Sequence, residues 1–388
     1  MTSTALAGLV AFLAIDFTST QVGDYAPEEA VQNPAPAVQA LADGSVGGFV
    51  DLHPVMGSFS LLLRAPLVAL SDAFGGDLLL GYQLGALVCF IPALIVGGWL
   101  AREIQARGRS TLEAMLFGVL VAINPITVDA LHMGHPEEVL GGALALLAVV
   151  CAARGRSMLA AVALGLAIGT KQWALLAVLP TLLVAPAGAR RRMAAVAAAI
   201  GIVLALGAPL ADWHDYREKA HTLGLSRTVS HYSAWTAVSR PVDIVVPGYR
   251  PTTIQRLPHG LSREDISLVI PLVCTILVLA FAWRRRWRLT EEDAVALLAI
   301  SFLLRVTLDS TVLLYYFAPM VLALAWWEVR RRGIPLGTAV VSVFIWQLFR
   351  ESHTLPDALS LMLYIGAAVA ICVCALPTLL APTRRAEA

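Results

Sequence analysis

Thirteen stretches of the chain read as apolar runs: roughly 4–20, 54–71, 78–101, 113–128, 138–153, 157–170, 173–187, 193–211, 266–283, 292–308, 311–329, 335–350 and 357–381. Apolar runs of about 18 residues are bilayer-spanning candidates. Two longer polar segments separate them, about 21–53 and 212–264. The pattern predicts one all-α, polytopic transmembrane domain over 1–388. It shows no soluble domain, no low-complexity tract and no convincing internal repeat.

An odd number of crossings would put the two ends on opposite sides of a membrane, so the arginines decide the orientation. Arg102/Arg107/Arg109, Arg154/Arg156, Arg190/Arg191/Arg192, Arg284/Arg285/Arg286/Arg288, Arg330/Arg331/Arg332 and Arg384/Arg385 hold seventeen of the 28 basic residues. Lys and Arg in short loops stay cytoplasmic. The six clusters share one face only if run 54–71 does not cross. That run carries Arg64, Pro54 and Pro66, and the turn after it, Ser71 to Asp77, has no basic residue. It is therefore expected to be an outer-surface or re-entrant helix. About twelve spans remain, with both termini cytoplasmic. The first run begins within three residues of Met1 and lacks a small-residue cleavage site, so it is expected to be a retained signal anchor.

This orientation sorts the rest of the chain. All eight histidines and 20 of the 27 acids fall on the extracytoplasmic side. The cytoplasmic side is reduced to short arginine-rich turns, with nothing large enough to hold a nucleotide. Composition agrees: 58% hydrophobic, 14% charged, mean hydropathy +0.74. A soluble domain carries about 25% charged residues, so a cytosolic globular protein, a disordered chain and a nucleic-acid binder are excluded. The net charge of +1 carries no information until it is resolved by face. The five cysteines all lie in apolar runs and are expected to be small apolar packers.

The first outer loop, 21–53, is acidic and has no basic residue. Pro34 to Gly44 predicts a short helix, with Pro in its first turn and Gly at its stop. Asp51-Leu52-His53-Pro54 follows. The second loop, 212–264, begins Asp212-Trp213-His214-Asp215-Tyr216 and contains His231-Tyr232-Ser233-Ala234-Trp235. It is aromatic and basic, and reads as a lid.

Within this frame a few residues stand out. Asp24, in Gly23-Asp24-Tyr25-Ala26, follows the first span directly and offers a carboxylate at the membrane boundary, able to act as general base toward a hydroxyl. An isolated loop acid is also simply solvated. Asp16, inside the span, is its rival. His132-Met133-Gly134-His135-Pro136-Glu137-Glu138 forms an outward turn. Pro136 and the two acids fit a helix start, which does not account for the paired histidines. No metal is expected there, since zinc needs three or four ligands and no second metal-spaced pair exists.

Lys171, in Gly169-Thr170-Lys171-Gln172-Trp173, sits between two short apolar runs, and the chain has only one other lysine, Lys219. A cation at a break between helices suits a phosphate, although a snorkelling lysine would look the same. Arg305 lies four residues before Asp309, at the spacing of an intrahelical ion pair, and precedes Tyr315 and Tyr316. Arg64 could add a further anion contact. No Gly-rich phosphate loop, nucleophile elbow or CxxC is present, so a nucleotide-sugar enzyme, a serine hydrolase and an ATPase are unsupported.

Taken together, the acidic loop with Asp24-Tyr25, the helix Pro54 to Leu67, the turn Gly134-His135-Pro136-Glu137-Glu138 and the segment Leu164 to Trp173 resemble the GT-C superfamily of integral membrane glycosyltransferases. The likeness covers roughly residues 1–330 and is greatest to the actinobacterial mannosyltransferase-like members grouped as glycosyltransferase family 87. The resemblance implies a GT-C-like fold and a sugar, mannose favoured, carried on polyprenyl phosphate. The sugar would pass to a lipid or cell-envelope glycan acceptor on the extracytoplasmic face of the plasma membrane.

The resemblance also implies roles for residues: Asp24 as the base, and cationic or imidazole groups on the donor phosphate. Lys171, Arg305 and Arg64 match the phosphate contacts, with His53, His135, Glu137, Glu138, Tyr25 and Tyr315 lining the site. No cofactor, metal or nucleic-acid partner is expected; membrane lipids are. One carboxylate on the acceptor suffices for a direct inverting displacement, whereas retention would want a second as nucleophile. The competing readings are a lipid or glycan transporter or flippase, and a non-catalytic polyprenyl-lipid-binding protein. A transporter should place ionisable groups near the bilayer midplane, where this chain has almost none.

Overall fold

The computed structural model of the protein describes residues 34–52, 57–76, 78–211, 213–214, 217, 228–230, 232–244, 252–351 and 357–380. Asp16, Asp24, Tyr25 and His53 lie outside the described residues. The helices are α1 (Pro34–Ala42), α2 (Val46–Asp51), α3 (Ser58–Ala73), α4 (Leu78–Val88), α5 (Ile91–Ala106), α6 (Thr111–Ala122), α7 (Pro125–His132), α8 (Pro136–Ala153), α9 (Ser157–Thr170), α10 (Val178–Val184), α11 (Arg190–Ala211), α12 (Arg263–Arg284), α13 (Glu291–Leu308), α14 (Ala318–Arg332), α15 (Leu336–Arg350) and α16 (Asp357–Leu380).

Four stretches of described residues are long and apolar enough to cross a membrane: Leu80–Ala106, Thr111–His132, Pro136–Ala153 and Arg263–Arg284. The protein is thus a helical membrane protein. Its helix starts are written locally. Ser110, Asn124, Ser262 and Thr290 each cap a helix and are answered by the residue three positions on, Glu113, Thr127, Asp265 and Asp293.

Helix α8 is the centre of the bundle. Of its apolar window 89% is buried inside the protein, against 33% for α12, whose Leu268, Leu272 and Ile276 face outward. Close helix approach depends on small residues. A Cβ on Gly142 of α8 would lie 2.7 Å from Pro319 Cα of α14, and one on Gly97 of α5 2.3 Å from the Gly118 carbonyl of α6. With lipid outside, such backbone proximity replaces the hydrophobic drive of a soluble core. Cys89, Cys151 and Cys274 are buried packers, but Cys374 is exposed, and all five are free.

Segment 212–264 departs from an all-helical chain. Strands β1 (Thr228–Val229), β2 (Arg240–Ile244) and β3 (Thr252–Arg256) form an antiparallel sheet in the order β1-β3-β2. Val, Ile and Thr dominate these stretches and favour a pleated surface. The unit is fastened to the link after α13. Ser230 N–H donates to Ser310 O (2.9 Å), Ser233 Oγ to Asp309 O (2.7 Å) and Trp235 Nε1 to Leu308 O (2.7 Å).

The arginine-rich end is also tied together. Arg154 reaches Glu103 (2.6 Å) and Glu291 (3.3 Å), and Arg330 reaches Glu103 (2.8 Å). This knot joins α5, the α8–α9 turn, α13 and α14.

Candidate functional site

The site is assembled at the other end of α8. Helix α7 closes with a left-handed Gly134, φ +74°. Gly134 N–H donates to Leu131 O and His135 N–H to Ala130 O (2.7 Å), the double bond pattern of a Schellman stop. Pro136 then starts α8, where its missing N–H is not needed. Glu137 and Glu138 fall in the first turn, at the positive end of the helix dipole. Both are buried, at 0% and 1% exposure.

Three cations from three other elements converge on these two carboxylates. Arg64, from α3, is fully buried and reaches Glu137 Oε2 at 3.3 Å. Its approach requires Gly85 of α4, where a Cβ would lie 2.7 Å from Arg64 Cβ. Lys171 follows the end of α9 in extended conformation, φ −153°, before a 3₁₀ turn from Gln172 to Ala177. Its Nζ lies 3.2 Å from Glu137 Oε1 and 3.7 Å from Glu138 Oε1. Burial acts to lower the Lys171 pKa, but Glu137 and Glu138 outweigh it and hold the ammonium above the usual lysine range. Arg305, in the last turn of α13, grips Glu138 through two bonds, Nη1 to Oε2 (2.9 Å) and Nη2 to Oε1 (3.2 Å).

Aromatic groups fix the set. The Arg305 guanidinium lies over both Trp173 and Tyr316, each 4.6 Å from the ring centre. Trp173 Nε1 donates to Glu138 Oε1 (3.2 Å). His135 Nδ1 is 2.9 Å from Glu137 Oε1, and its ring stacks on Tyr315 at 4.5 Å. Arg64 sits over Tyr82 at 4.3 Å.

Seven of the ten residues singled out in the sequence therefore meet here: Arg64, His135, Glu137, Glu138, Lys171, Arg305 and Tyr315. Asp24, Tyr25 and His53 lie outside the described residues.

One expectation is corrected. Arg305 does not pair with Asp309 along its own helix. The helix ends at Leu308, and Asp309 takes up extended backbone, φ −71° and ψ 144°, so the spacing no longer places the two on one face. Asp309 instead lies 3.7 Å from Arg263 Nε, and Arg263 Nη2 donates to Tyr316 OH (3.4 Å). Trp173, Tyr316 and Arg263 were not singled out. Trp173 lies two residues after Lys171 and Tyr316 directly after Tyr315, the only signal they offer. Arg263 is 42 residues from Arg305, and its place beside Tyr316 is set by tertiary packing alone.

All four carboxylate oxygens accept from cationic or N–H groups, so the glutamates act as a counter-charge that gathers cations. Counted over the described residues, three cations face these two carboxylates, an excess of one positive charge. Among the described residues no three His, Cys, Asp or Glu side chains group so as to hold a metal ion. No curated protein matches the chain. Residues 57–314, more than half of the chain and including Arg64, His135, Glu137, Glu138, Lys171 and Arg305, match the model of glycosyltransferase family 87; the chain belongs to that family and is a glycosyltransferase.

Proposed function

We propose that the protein transfers a sugar, mannose favoured, from a polyprenyl-phosphate donor to a lipid or cell-envelope glycan acceptor. The reaction would take place on the extracytoplasmic face of a plasma-membrane protein with about twelve spans, a surface or re-entrant α3 and both termini cytoplasmic. The observation that carries this reading is the excess positive charge on one turn, where Arg64, Lys171 and Arg305 surround Glu137 and Glu138. Such a cluster favours a phosphate over a neutral ligand.

In the proposed step Asp24 takes the proton of an acceptor hydroxyl, and that oxygen attacks the anomeric carbon of the sugar. The bond from that carbon to the phosphate oxygen breaks, and polyprenyl phosphate leaves carrying the electron pair. The phosphate goes from one negative charge to two as it departs. Preorganised cations aimed at charge that develops are worth most in a water-poor site. Lys171 is the cation with some exposure, 24% of its side chain, and would meet the phosphate first. Glu137 and Glu138 are unsuited as base because their oxygens are engaged by cations, which supports leaving that role to Asp24. A single base agrees with inversion, and the proposal needs no metal or other cofactor.

The test is transfer by proteoliposomes supplied with radiolabelled polyprenyl-phosphate mannose, with the anomeric configuration of the product read by NMR. Asp24→Asn should abolish transfer while donor binding persists, and Lys171→Met should weaken both. Full transfer by both correctly folded variants would overturn the assignment.

A further inference from the structure

The arginine-rich end of the bundle carries a second anion-accepting feature that the transfer reaction does not use. A cavity of about 150 Å3 opens there, lined by Trp99, Arg102, Glu103, Arg154 and Arg156. It lies at the far end of α8 from Glu137, a separation of roughly 27 Å for an 18-residue helix.

The charges lining it are unequally spent. Glu103 is held by Arg154 (2.6 Å) and Arg330 (2.8 Å), and Arg154 also holds Glu291. Arg102 and Arg156 make no ion pair with any described residue. The exposed heads of these two arginines therefore flank the opening with charge that no carboxylate among the described residues pairs. Short-loop arginines are expected at this end of a membrane protein, but that rule does not require two of them to border one cavity beside an indole.

We infer that this cavity binds the headgroup phosphate of an anionic glycerophospholipid. The size suits a phosphate, and two guanidinium groups suit its oxygens through paired N–H donors. Trp99 is half-buried against the bundle, a placement indoles favour at the headgroup level of a bilayer. Met158 and Leu159, which follow Arg156 directly, are exposed large apolar side chains. They offer acyl chains a surface that a free phosphate would not use, and this commits the site to a lipid. The bound headgroup would brace the Glu103–Arg154–Glu291–Arg330 knot and so stabilise the packing of α5, α8, α13 and α14. The inference does not depend on which sugar or acceptor the enzyme uses.

The test is the thermal unfolding midpoint of the full chain in mixed micelles, with phosphatidylglycerol, phosphatidylcholine or inorganic phosphate as probe. Phosphatidylglycerol at about tenfold over its dissociation constant should raise the midpoint of the wild type by about 3 °C. Phosphatidylcholine and inorganic phosphate should leave it unchanged. Arg102→Gln/Arg156→Gln should lose the shift. Arg191→Gln/Arg192→Gln removes the same charge from another basic turn and should keep it. A shift retained by the first double variant or lost by the second, or an equal shift with phosphatidylcholine, would overturn the inference. An equal shift with inorganic phosphate would overturn the lipid assignment. None of these readouts involves sugar transfer, so their failure is distinct from failure of the proposed reaction.

Discussion

Removing Glu138 should destabilise the protein far more than removing Glu138 and Arg305 together. Arg305 is 6% exposed, is gripped at 2.9 and 3.2 Å by Glu138, and is enclosed by the rings of Trp173 and Tyr316. Glu138→Leu leaves that guanidinium buried without its partner and strips the acceptor from Trp173 Nε1. Breaking one side of a buried ion pair costs about 3–5 kcal/mol, whereas replacing both partners by apolar groups is close to neutral. Glu138→Leu/Arg305→Met should therefore recover about 3 kcal/mol. At about 2 °C per kcal/mol for a chain of this size, that is roughly 6 °C in unfolding midpoint.

The assay is thermal unfolding of the purified variants in one detergent, paired with transfer activity. The folded double variant should stay inactive, because the phosphate has lost a cation. Equal midpoints for the single and double variants would refute the account of the pair. Full activity in the double variant would show that Arg305 serves packing alone.

Three further outcomes follow from the same geometry. Lys171→Met should cost about 10²- to 10³-fold in turnover, as loss of one preorganised charge donor does. Lys171→Arg should recover part of it, and both are read by initial transfer rates. Gly142→Ala should lower stability by about 1–3 kcal/mol, because the new Cβ would lie 2.7 Å from Pro319 Cα and backbone must move; unfolding midpoints measure this. In the proposed reaction polyprenyl phosphate, as the more highly charged product, should inhibit at lower concentration than the donor KM, and Lys171→Met should narrow that difference; equal affinities in the wild type would contradict the charge argument.

Much of the site was legible in the sequence because membrane helices make charge scarce. Lys171 and Arg305 stand out against apolar neighbours, and Glu137-Glu138 against a proline-started helix. They meet because the start of α8 and the ends of α9 and α13 come together at one end of the bundle. The partner choice was not legible. The four-residue interval from Arg305 to Asp309 suggests an intrahelical pair, and only the end of α13 at Leu308 shows why Arg305 turns to Glu138 instead. The sheet in segment 212–264 was missed because its strands are two to five residues long and their alternation is hidden among loop polar residues. The run 54–71 does not show which way Arg64 faces; its helix presents Arg64, Leu61, Ala65 and Val68 to the interior.

The two glutamates explain how such a cluster stays folded before any substrate arrives. Like charges repel at close range, so three bare cations drawn from three elements would push those elements apart. Glu137 and Glu138 remove that cost and leave a surplus positive charge. In the proposed reaction the polyprenyl-phosphate sugar carries one negative charge in its phosphodiester, which the surplus among the described residues would attract. The leaving phosphate carries two, so the interactions strengthen as the glycosidic bond breaks, which is the condition for accelerating the chemical step rather than only binding the substrate. The count of charges around Glu137 and Glu138 is therefore as much a part of the proposed mechanism as their identity.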